Sequence, residues 1–156
     1  TATSSTSPDR SPTVRAVRSG PMRLSAADAR ARFAGARVAR LATVSADGVP
    51  HLVPVTFAVL GERVVFAVDD KPKSTTRLRR LDNIAARPDV CLLADVYDED
   101  WTRLWWVRAD GTATVRPADE EAVDALAARY PAYVERRPAG PVVSIEVTAW
   151  TGWSWT

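Results

Sequence analysis

The two lysines of this chain lie two positions apart in the segment VVFAVDDKPKSTTRLRRLDNI, residues 64–84. The other 19 of the 21 basic residues are arginines. A lysine is a compact, strongly hydrated point charge that suits a phosphate group, whereas arginine prefers planar partners that accept two hydrogen bonds. Lys71 and Lys73 are therefore candidate ligands for a phosphate.

Both lysines fall between a predicted strand and a predicted helix. Residues 63–68 have the apolar, β-branched character of a buried strand, and Ser74 is a residue type that caps helices. A helix start carries unpaired N–H groups and the positive end of the dipole, so it attracts anions. Three arginines extend the positive charge along the helix: Arg77, Arg79 and Arg80. The segment predicts an anion site, and the alternative is a solvated turn in which the lysines pair with Asp69 and Asp70.

Size and composition indicate one domain. The chain has 156 residues, of which 46% are hydrophobic, and its net charge of +2 comes from interleaved charges that argue against nucleic acid binding. No run approaches the roughly 18 apolar residues of a membrane span. Cys91 is the single cysteine and lies in the apolar run VCLLA, which predicts a buried structural thiol in a reducing, cytoplasmic compartment. We expect residues 1–21 to be a flexible arm or extension before a domain spanning 22–156.

Alternating apolar and polar residues predict six antiparallel strands. Tight turns at Asp47-Gly48 and Gly61 make the first three strands neighbours, and the fifth should bulge at Asp110-Gly111. The predicted strands are residues 38–45, 49–59, 63–68, 90–97, 103–117 and 141–150. The predicted helices are residues 25–36, a lid on the barrel, the segment from Ser74 to Pro88, and residues 118–130. This order predicts a mainly β fold, a closed or nearly closed antiparallel barrel with its sites on the outside.

The most specific patterns are RLATVSADGVPHLVPVTF, VVFAVDDKPKSTTRLRRLDNIAARPDVCLL and DEDWTRLWWVRADGTATV. In this order they resemble the split-barrel flavin and deazaflavin oxidoreductases, the family of pyridoxamine 5′-phosphate oxidase. The chain is most similar to the small actinobacterial branch that uses the deazaflavin coenzyme F420. The resemblance implies a six-stranded antiparallel split β-barrel with short flanking helices. It also implies a homodimer that binds the cofactor in a groove at the subunit interface.

The resemblance also implies which residues bind the cofactor. Its phosphate would lie at the junction before the helix, formed here by Lys71, Lys73, Ser74 and Thr75. Its ring would lie along the second strand, at Val53, Pro54, Val55 and Thr56. The prolines at 50 and 54 predict in addition that this strand lies at an edge or is interrupted, because proline donates no hydrogen bond to a ladder. Unpaired backbone groups there could bind the polar edge of a planar heterocycle.

Tryptophans of the last two strands are further candidates. Trp105 and Trp106 are adjacent, so their side chains should point to opposite faces, and the resemblance implies that this strand walls the cofactor of the neighbouring subunit, with Trp105 as the candidate contact. Trp153 is the candidate near the C terminus for a contact to cofactor or substrate. Packing in the core or at the dimer interface is the alternative for these side chains, and also for Trp150 and Trp155.

The strand expected to contact the ring lacks the arginine and lysine set of pyridoxamine oxidases, which disfavours flavin mononucleotide and favours F420. Arg77 and Arg80 could then contact the acidic polyglutamate tail of F420. We expect hydride transfer between reduced F420 and a conjugated small-molecule substrate, and since the cofactor supplies this chemistry no catalytic side chain is identified. The alternatives are a flavin mononucleotide-dependent oxidoreductase, a protein that binds deazaflavin, flavin or haem without turnover, and nucleic acid binding by the arginine-rich helix.

Two other features have structural interpretations. His51 is the single histidine, and a packed or hydrogen-bonded side chain explains it better than a general base. The acidic cluster around residues 95–100 lacks the spacing of a calcium loop and predicts a solvated turn; its members are Asp95, Asp98, Glu99 and Asp100. The sequence contains no pattern of a zinc site or a nucleophile triad.

Overall fold

The structure is a computed structural model that describes residues 22–68 and 75–156, without the side chains of residues 75–78. Its strands are β1 (Met22–Arg23), β2 (Ala39–Val44), β3 (Pro50–Val55), β4 (Ala58–Leu60), β5 (Arg63–Ala67), β6 (Asp89–Val96), β7 (Trp105–Arg116) and β8 (Val142–Ser154). Its α-helices are α1 (Ala26–Gly35), α2 (Thr75–Ala86), α3 (Glu120–Arg129) and α4 (Ala132–Glu135), and a short 3-10 helix covers Trp101–Arg103. Within these two ranges, no helix combines the length and the apolar character that a membrane crossing requires.

The strands form one antiparallel sheet in the order β3-β2-β6-β7-β8-β5-β4, and β1 pairs with β8. The two ends of this order, β3 and β4, are consecutive in the chain and separated only by Thr56 and Phe57. The sheet therefore curls until its ends meet at one corner, which confirms the predicted mainly β split barrel. The edge position of β3 is the one that its two prolines predicted.

The strand count differs from the expected six for two reasons. Residues 49–59 form two strands, because the backbone N–H and C=O of Phe57 bond the Tyr130 hydroxyl at 3.1 and 3.0 Å. The Phe57 side chain is meanwhile fully buried in the core. The short β1 adds the eighth strand, and β8 runs four residues beyond its predicted end, to Ser154.

Helix α1 covers one end of the barrel interior, as its predicted role as a lid requires. Ser25 caps it by accepting a hydrogen bond from the Asp28 N–H at 3.1 Å. Its Phe33 ring is fully buried and lies 4.7 Å from the ring of Phe57 and 5.3 Å from that of Trp150. Helix α3 packs on the other side of β4 and β5, where Leu126 and Val65 belong to a second, smaller core.

Helix α2 packs through one face only. Ile84 is buried and Leu81 half-buried, both in contact with the main core, whereas Arg79 is exposed. Asn83 is also buried and donates from Nδ2 to the Thr43 hydroxyl on β2 at 3.0 Å. This contact fixes the helix against the β2-β3 hairpin.

Cys91 was predicted to take the place of a small buried residue, but it does not lie in the core. Strand β6 alternates, so Val90, Leu92 and Ala94 point into the core while Cys91 and Leu93 point to the opposite face. Cys91 is half-buried there, and partial burial raises the pKa of its thiol above the ordinary value. The apolar run VCLLA therefore alternates between the core face and the outer face of one strand. It is not a strand that is buried on both faces.

Candidate functional site

The strand-to-helix junction lies where the sequence predicted it, between the end of β5 at Ala67 and the start of α2 at Thr75. Lys71, Lys73 and Ser74 lie outside the described residues, and the side chains of Thr75 and Arg77 are not described. The assignment of a phosphate to Lys71, Lys73, Ser74 and Thr75 stays a prediction, and so does the contact of Arg77 with an acidic tail. The described parts of the structure around this junction are the ends of β3, β5 and α2.

A cavity of about 250 Å³ opens at this corner of the barrel, and we call it the ring cavity. Three of the four residues predicted to contact a ring line it, and Val53, the fourth, is half-buried and packs against the core instead. The end of β5 and two residues from helices complete its walls. The lining residues are Pro54, Val55, Thr56, Phe66, Ala67, Arg80 and Tyr133.

Two hydroxyl groups meet at the wall of the ring cavity. The oxygens of Thr56 and Tyr133 are 2.8 Å apart, and either can donate to the other. Tyr133 packs edge-to-face on Tyr130, with ring centroids 5.8 Å apart. Tyr130 is held in turn by the backbone of Phe57 and by the carbonyl of Arg37, to which its hydroxyl donates at 2.9 Å. The ring cavity therefore combines apolar residues with a rigidly placed pair of hydroxyls, and Arg80 adds a cation to its lining.

Three residues that line the ring cavity were not predicted from the sequence, namely Phe66, Ala67 and Tyr133, and Tyr133 is the polar one. It lies on the four-residue helix α4, directly after α3, in the segment YPAYVE. Its partner Thr56 is 77 residues away in the chain. The only local signal is the repetition of tyrosine at positions 130 and 133, which is too common to single out a site.

His51 lines a second cavity of about 310 Å³ between the β2-β3 hairpin and α2, and we call it the His51 cavity. Its other lining residues are Ser45, Val49, Pro50, Arg79 and Asn83. The Nδ1 atom of His51 is buried and has no hydrogen-bond partner in the described parts of the chain. The predicted packed or hydrogen-bonded histidine is therefore packed, but this nitrogen remains unsatisfied.

The adjacent tryptophans of β7 point to opposite faces, as the alternation of a strand requires. Trp105 is half-buried against the core, with the Arg32 guanidinium carbon 5.6 Å from the centre of its ring. Trp106 points outward and is directly opposite Trp153 on β8. The predicted contact between Trp105 and a cofactor stays a prediction.

Trp106 and Trp153 line a third cavity of about 350 Å³, together with Arg23, Leu24, Arg108, Trp150, Thr151 and Gly152. Trp155 lies beside Trp153, with ring centroids 6.4 Å apart. Trp150 is buried against Phe33 and donates from its indole nitrogen to Glu62 at 3.3 Å, so it serves packing. The expected cluster at the C terminus thus divides into one core residue and two residues at the surface.

Part of the acidic cluster caps the 3-10 helix. A carboxylate oxygen of Asp98 accepts the N–H of Asp100 at 2.8 Å, and Asp100 accepts both the N–H and the hydroxyl of Thr102 at 3.1 and 2.6 Å. These hydrogen bonds from Thr102 lower the pKa of Asp100. Among the described residues, no group of three or more His, Cys, Asp or Glu side chains has a geometry that could hold a metal ion.

Comparison with known proteins identifies the fold. The family model described as pyridoxamine 5′-phosphate oxidase matches residues 25–156. A solved structure of a FAD-binding protein from Mesorhizobium loti has a TM-score of 0.68 at 19% identity, over 85% of this chain and 95% of that one. A conserved hypothetical protein from Mycobacterium tuberculosis has a TM-score of 0.68 at 22% identity, over 85% and 86% of the two chains.

A haem-binding protein from Mycobacterium smegmatis is also similar. Its TM-score is 0.63 at 25% identity, over 83% of this chain but only 54% of that one. A comparison with curated proteins finds no match. The solved structures agree with the barrel described above.

Proposed function

The chain belongs to the pyridoxamine 5′-phosphate oxidase family, and from this premise we propose that it is an oxidoreductase that uses coenzyme F420. It would transfer a hydride between the reduced coenzyme and a conjugated small-molecule substrate. The observation that carries the proposal is the ring cavity, because it joins Pro54, Val55 and Thr56 to the end of the strand that leads to the two lysines. We assign the ring to this cavity, and the phosphate to Lys71 and Lys73 on the sequence prediction alone.

The residues of the ring cavity fit a planar heteroaromatic ring. Pro54 and Ala67 offer apolar contact to its face, and the hydroxyls of Thr56 and Tyr133 offer hydrogen bonds to its polar edge. When bound, F420 supplies the hydride chemistry itself. The chain would bind the ring, fix its orientation and exclude water from it.

We propose that a homodimer completes the site. The ring cavity of about 250 Å³ is smaller than the roughly 300–1,000 Å³ of typical ligand pockets, so a second subunit would have to supply further walls. The outer face of strands β3, β2, β6 and β7 carries apolar side chains that suit such a contact. Leu52 is 68% exposed, Leu93 37% and Trp106 38%.

Polar groups on this outer face are paired with one another. Arg40 lies 3.5 Å from Asp95 across β2 and β6, and Arg108 lies 2.9 Å from Asp110 along β7. Because these charges are already paired within one subunit, covering them with a second subunit costs less free energy. Trp106 and Trp153, at one side of this face, would then approach the cofactor of the partner subunit. A cytoplasmic location remains part of the proposal.

A flavin is the second candidate for the cofactor. FAD-binding proteins from Mesorhizobium loti and Mycobacterium smegmatis share the fold, and so does a haem-binding protein from Mycobacterium smegmatis. F420 is favoured here because the side chains at the ring cavity from β3 and β5 carry no charge, while Arg79 and Arg80 on α2 suit an acidic tail.

The test is a set of parallel titrations of the purified protein with F420, flavin mononucleotide, FAD and haemin, followed by an anaerobic screen of quinone and enone acceptors. The proposal predicts tightest binding of F420 and oxidation of its reduced form by at least one acceptor. Tight flavin binding with turnover would instead support the second candidate. Binding without transfer to any acceptor would support a carrier or sensor.

A further inference from the structure

The His51 cavity has a buried polar atom without a hydrogen-bond partner among residues 22–68 and 75–156 as the structure describes them. His51 faces the same side of the sheet as Thr43, its register partner on β2, and Thr43 is bonded to Asn83 of α2. The Nδ1 atom of His51 receives no such partner within the described residues. Buried polar groups in proteins are nearly always hydrogen-bonded, so such an atom at a cavity wall is a candidate to bind a ligand group.

The charge at this cavity is positive. Arg79 lines it, and in the described parts of the chain no carboxylate lies within ion-pair distance of Arg79. Arg87 adds a second cation close by, donating to the carbonyls of Ser45 and Ala46 at 3.0 and 3.1 Å. Those two bonds also hold the hairpin in place over α2. Within the described ranges, the cavity therefore carries a cation that no carboxylate neutralises.

The two cavities lie along the same pair of elements. Arg79 lines the His51 cavity and Arg80, the next residue of α2, lines the ring cavity. On β3, His51 and Val55 point to the same face and are four residues apart, which corresponds to about 13 Å at roughly 3.3 Å per residue. A single extended ligand could therefore occupy both cavities.

We propose that the His51 cavity is a second subsite that binds an anionic group, a carboxylate or a phosphate, of a ligand whose other end lies in the ring cavity. Arg79 would form the ion pair and His51 Nδ1 a hydrogen bond to the same group. The inference rests on the proposed function for the position of the ring. The anion belongs either to the acidic tail of the cofactor or to an acidic substrate bound beside it.

Four variants separate these sources. Arg79→Gln removes the cation, His51→Leu removes the nitrogen at similar volume, and His51→Asn keeps a polar atom near the Nδ1 position. Arg103→Gln is the charge-matched control, since Arg103 lies on the 3-10 helix with a side chain that is 72% exposed. Thermal unfolding establishes that each variant is folded before binding is measured.

The first arm compares F420 that carries several glutamyl residues with F420 that carries none. If the tail occupies the subsite, the wild type prefers the longer form by about tenfold, as expected for one charge-assisted contact. Arg79→Gln and His51→Leu lose this preference, whereas His51→Asn and Arg103→Gln retain most of it.

The second arm titrates cofactor-loaded protein with benzoate and with benzyl alcohol. If a substrate supplies the anion, Arg79→Gln weakens benzoate binding about tenfold and leaves benzyl alcohol unchanged.

The proposal is overturned if Arg79→Gln and His51→Leu change neither the preference for the glutamyl tail nor the affinity for benzoate while F420 still binds. That result leaves the proposed function intact. If the wild type binds neither F420 nor a flavin, the proposed function fails. The subsite is then tested separately, by measuring the shift in melting temperature that citrate produces. Stabilisation of the wild type that is absent in Arg79→Gln then supports the subsite, and equal shifts in the two proteins refute it.

Discussion

The hydroxyl oxygens of Thr56 and Tyr133 lie 2.8 Å apart at the wall of the ring cavity, although the residues are 77 positions apart in the chain. Two hydroxyls carry two protons, and the bond between them uses one. The second proton is available for donation into the cavity. The pair is thus suited to bind an acceptor on the edge of a cofactor ring.

We expect Tyr133→Phe and Thr56→Val each to weaken cofactor binding by about fivefold to tenfold, the loss that one hydrogen bond produces. Because the two hydroxyls act as a unit, the double variant should bind little worse than either single variant. Fluorescence titration of the tryptophans measures these affinities. Tyr97→Phe is the control, since Tyr97 is 69% exposed in the loop after β6. Wild-type affinity in both single variants would show that the pair does not contact the cofactor.

The proposed dimer predicts that a charge on the outer face of the sheet separates the subunits. Leu52→Asp and Leu93→Asp should convert a dimer into a monomer, because burying an unpaired carboxylate costs several kcal/mol. Cofactor affinity should fall with dimer content if the site lies between subunits. Sedimentation velocity measures the oligomeric state, and Ala128→Asp is the control because Ala128 is exposed on α3, which packs against β4 and β5. Dimers that persist in both Leu variants would place the interface elsewhere.

Arg63 and Asp119 predict a specific dependence of stability on pH. They form an ion pair at 2.8 Å in which both side chains are largely buried, and Asp119 also caps α3 by accepting the N–H of Ala122. The pKa of Asp119 is lowered, mainly by the hydrogen bond from Arg63. Partial burial acts in the opposite direction and raises this pKa, but by less. A lowered folded-state pKa means that this stabilisation is complete above the unfolded value of about 3.9 and is lost as pH falls through the folded value.

Asp119→Ala should therefore lower the free energy of unfolding by about 1–3 kcal/mol at pH 7, through loss of the cap and of the partner of Arg63. The difference from the wild type should shrink as pH falls below about 4. Urea unfolding at several pH values measures it. Glu121→Ala serves for comparison and should cost less than about 0.5 kcal/mol, since Glu121 is exposed and lies 3.4 Å from the same arginine. A difference for Asp119→Ala that is independent of pH would exclude the ion pair as its source.

Gly111 is predicted to tolerate no side chain. It lies at the register shift of β7, and a Cβ there would overlap the carbonyl oxygen of Glu146 and approach the Ile145 side chain to 2.8 Å. Gly111→Ala should therefore destabilise the fold by about 2 kcal/mol. Gly35→Ala is the matched control at the end of α1, where an added Cβ meets no atom within 4 Å. Thermal unfolding compares the two, and equal melting temperatures would mean that β7 and β8 can separate without cost at this bulge.

The parts of the fold that were predictable depend on local chemistry. Gly48 and Gly61 adopt φ of 83° and 60°, which glycine allows at no steric cost, so both turns were visible in the sequence. The edge position of β3 follows from its prolines, and the bulge from Asp110-Gly111. The break after Val55 and the role of Tyr133 were not predictable, because both depend on contacts between residues more than 70 positions apart.

The most direct test of the account is the affinity of the double variant Lys71→Ala/Lys73→Ala for F420, measured by titration beside the wild type. The account predicts a loss of about hundredfold, since two charge-assisted contacts to phosphate disappear together. Arg103→Ala/Arg137→Ala removes the same charge from exposed positions elsewhere and should bind F420 normally. An unchanged affinity in the lysine variant would contradict the phosphate assignment on which the proposed function depends.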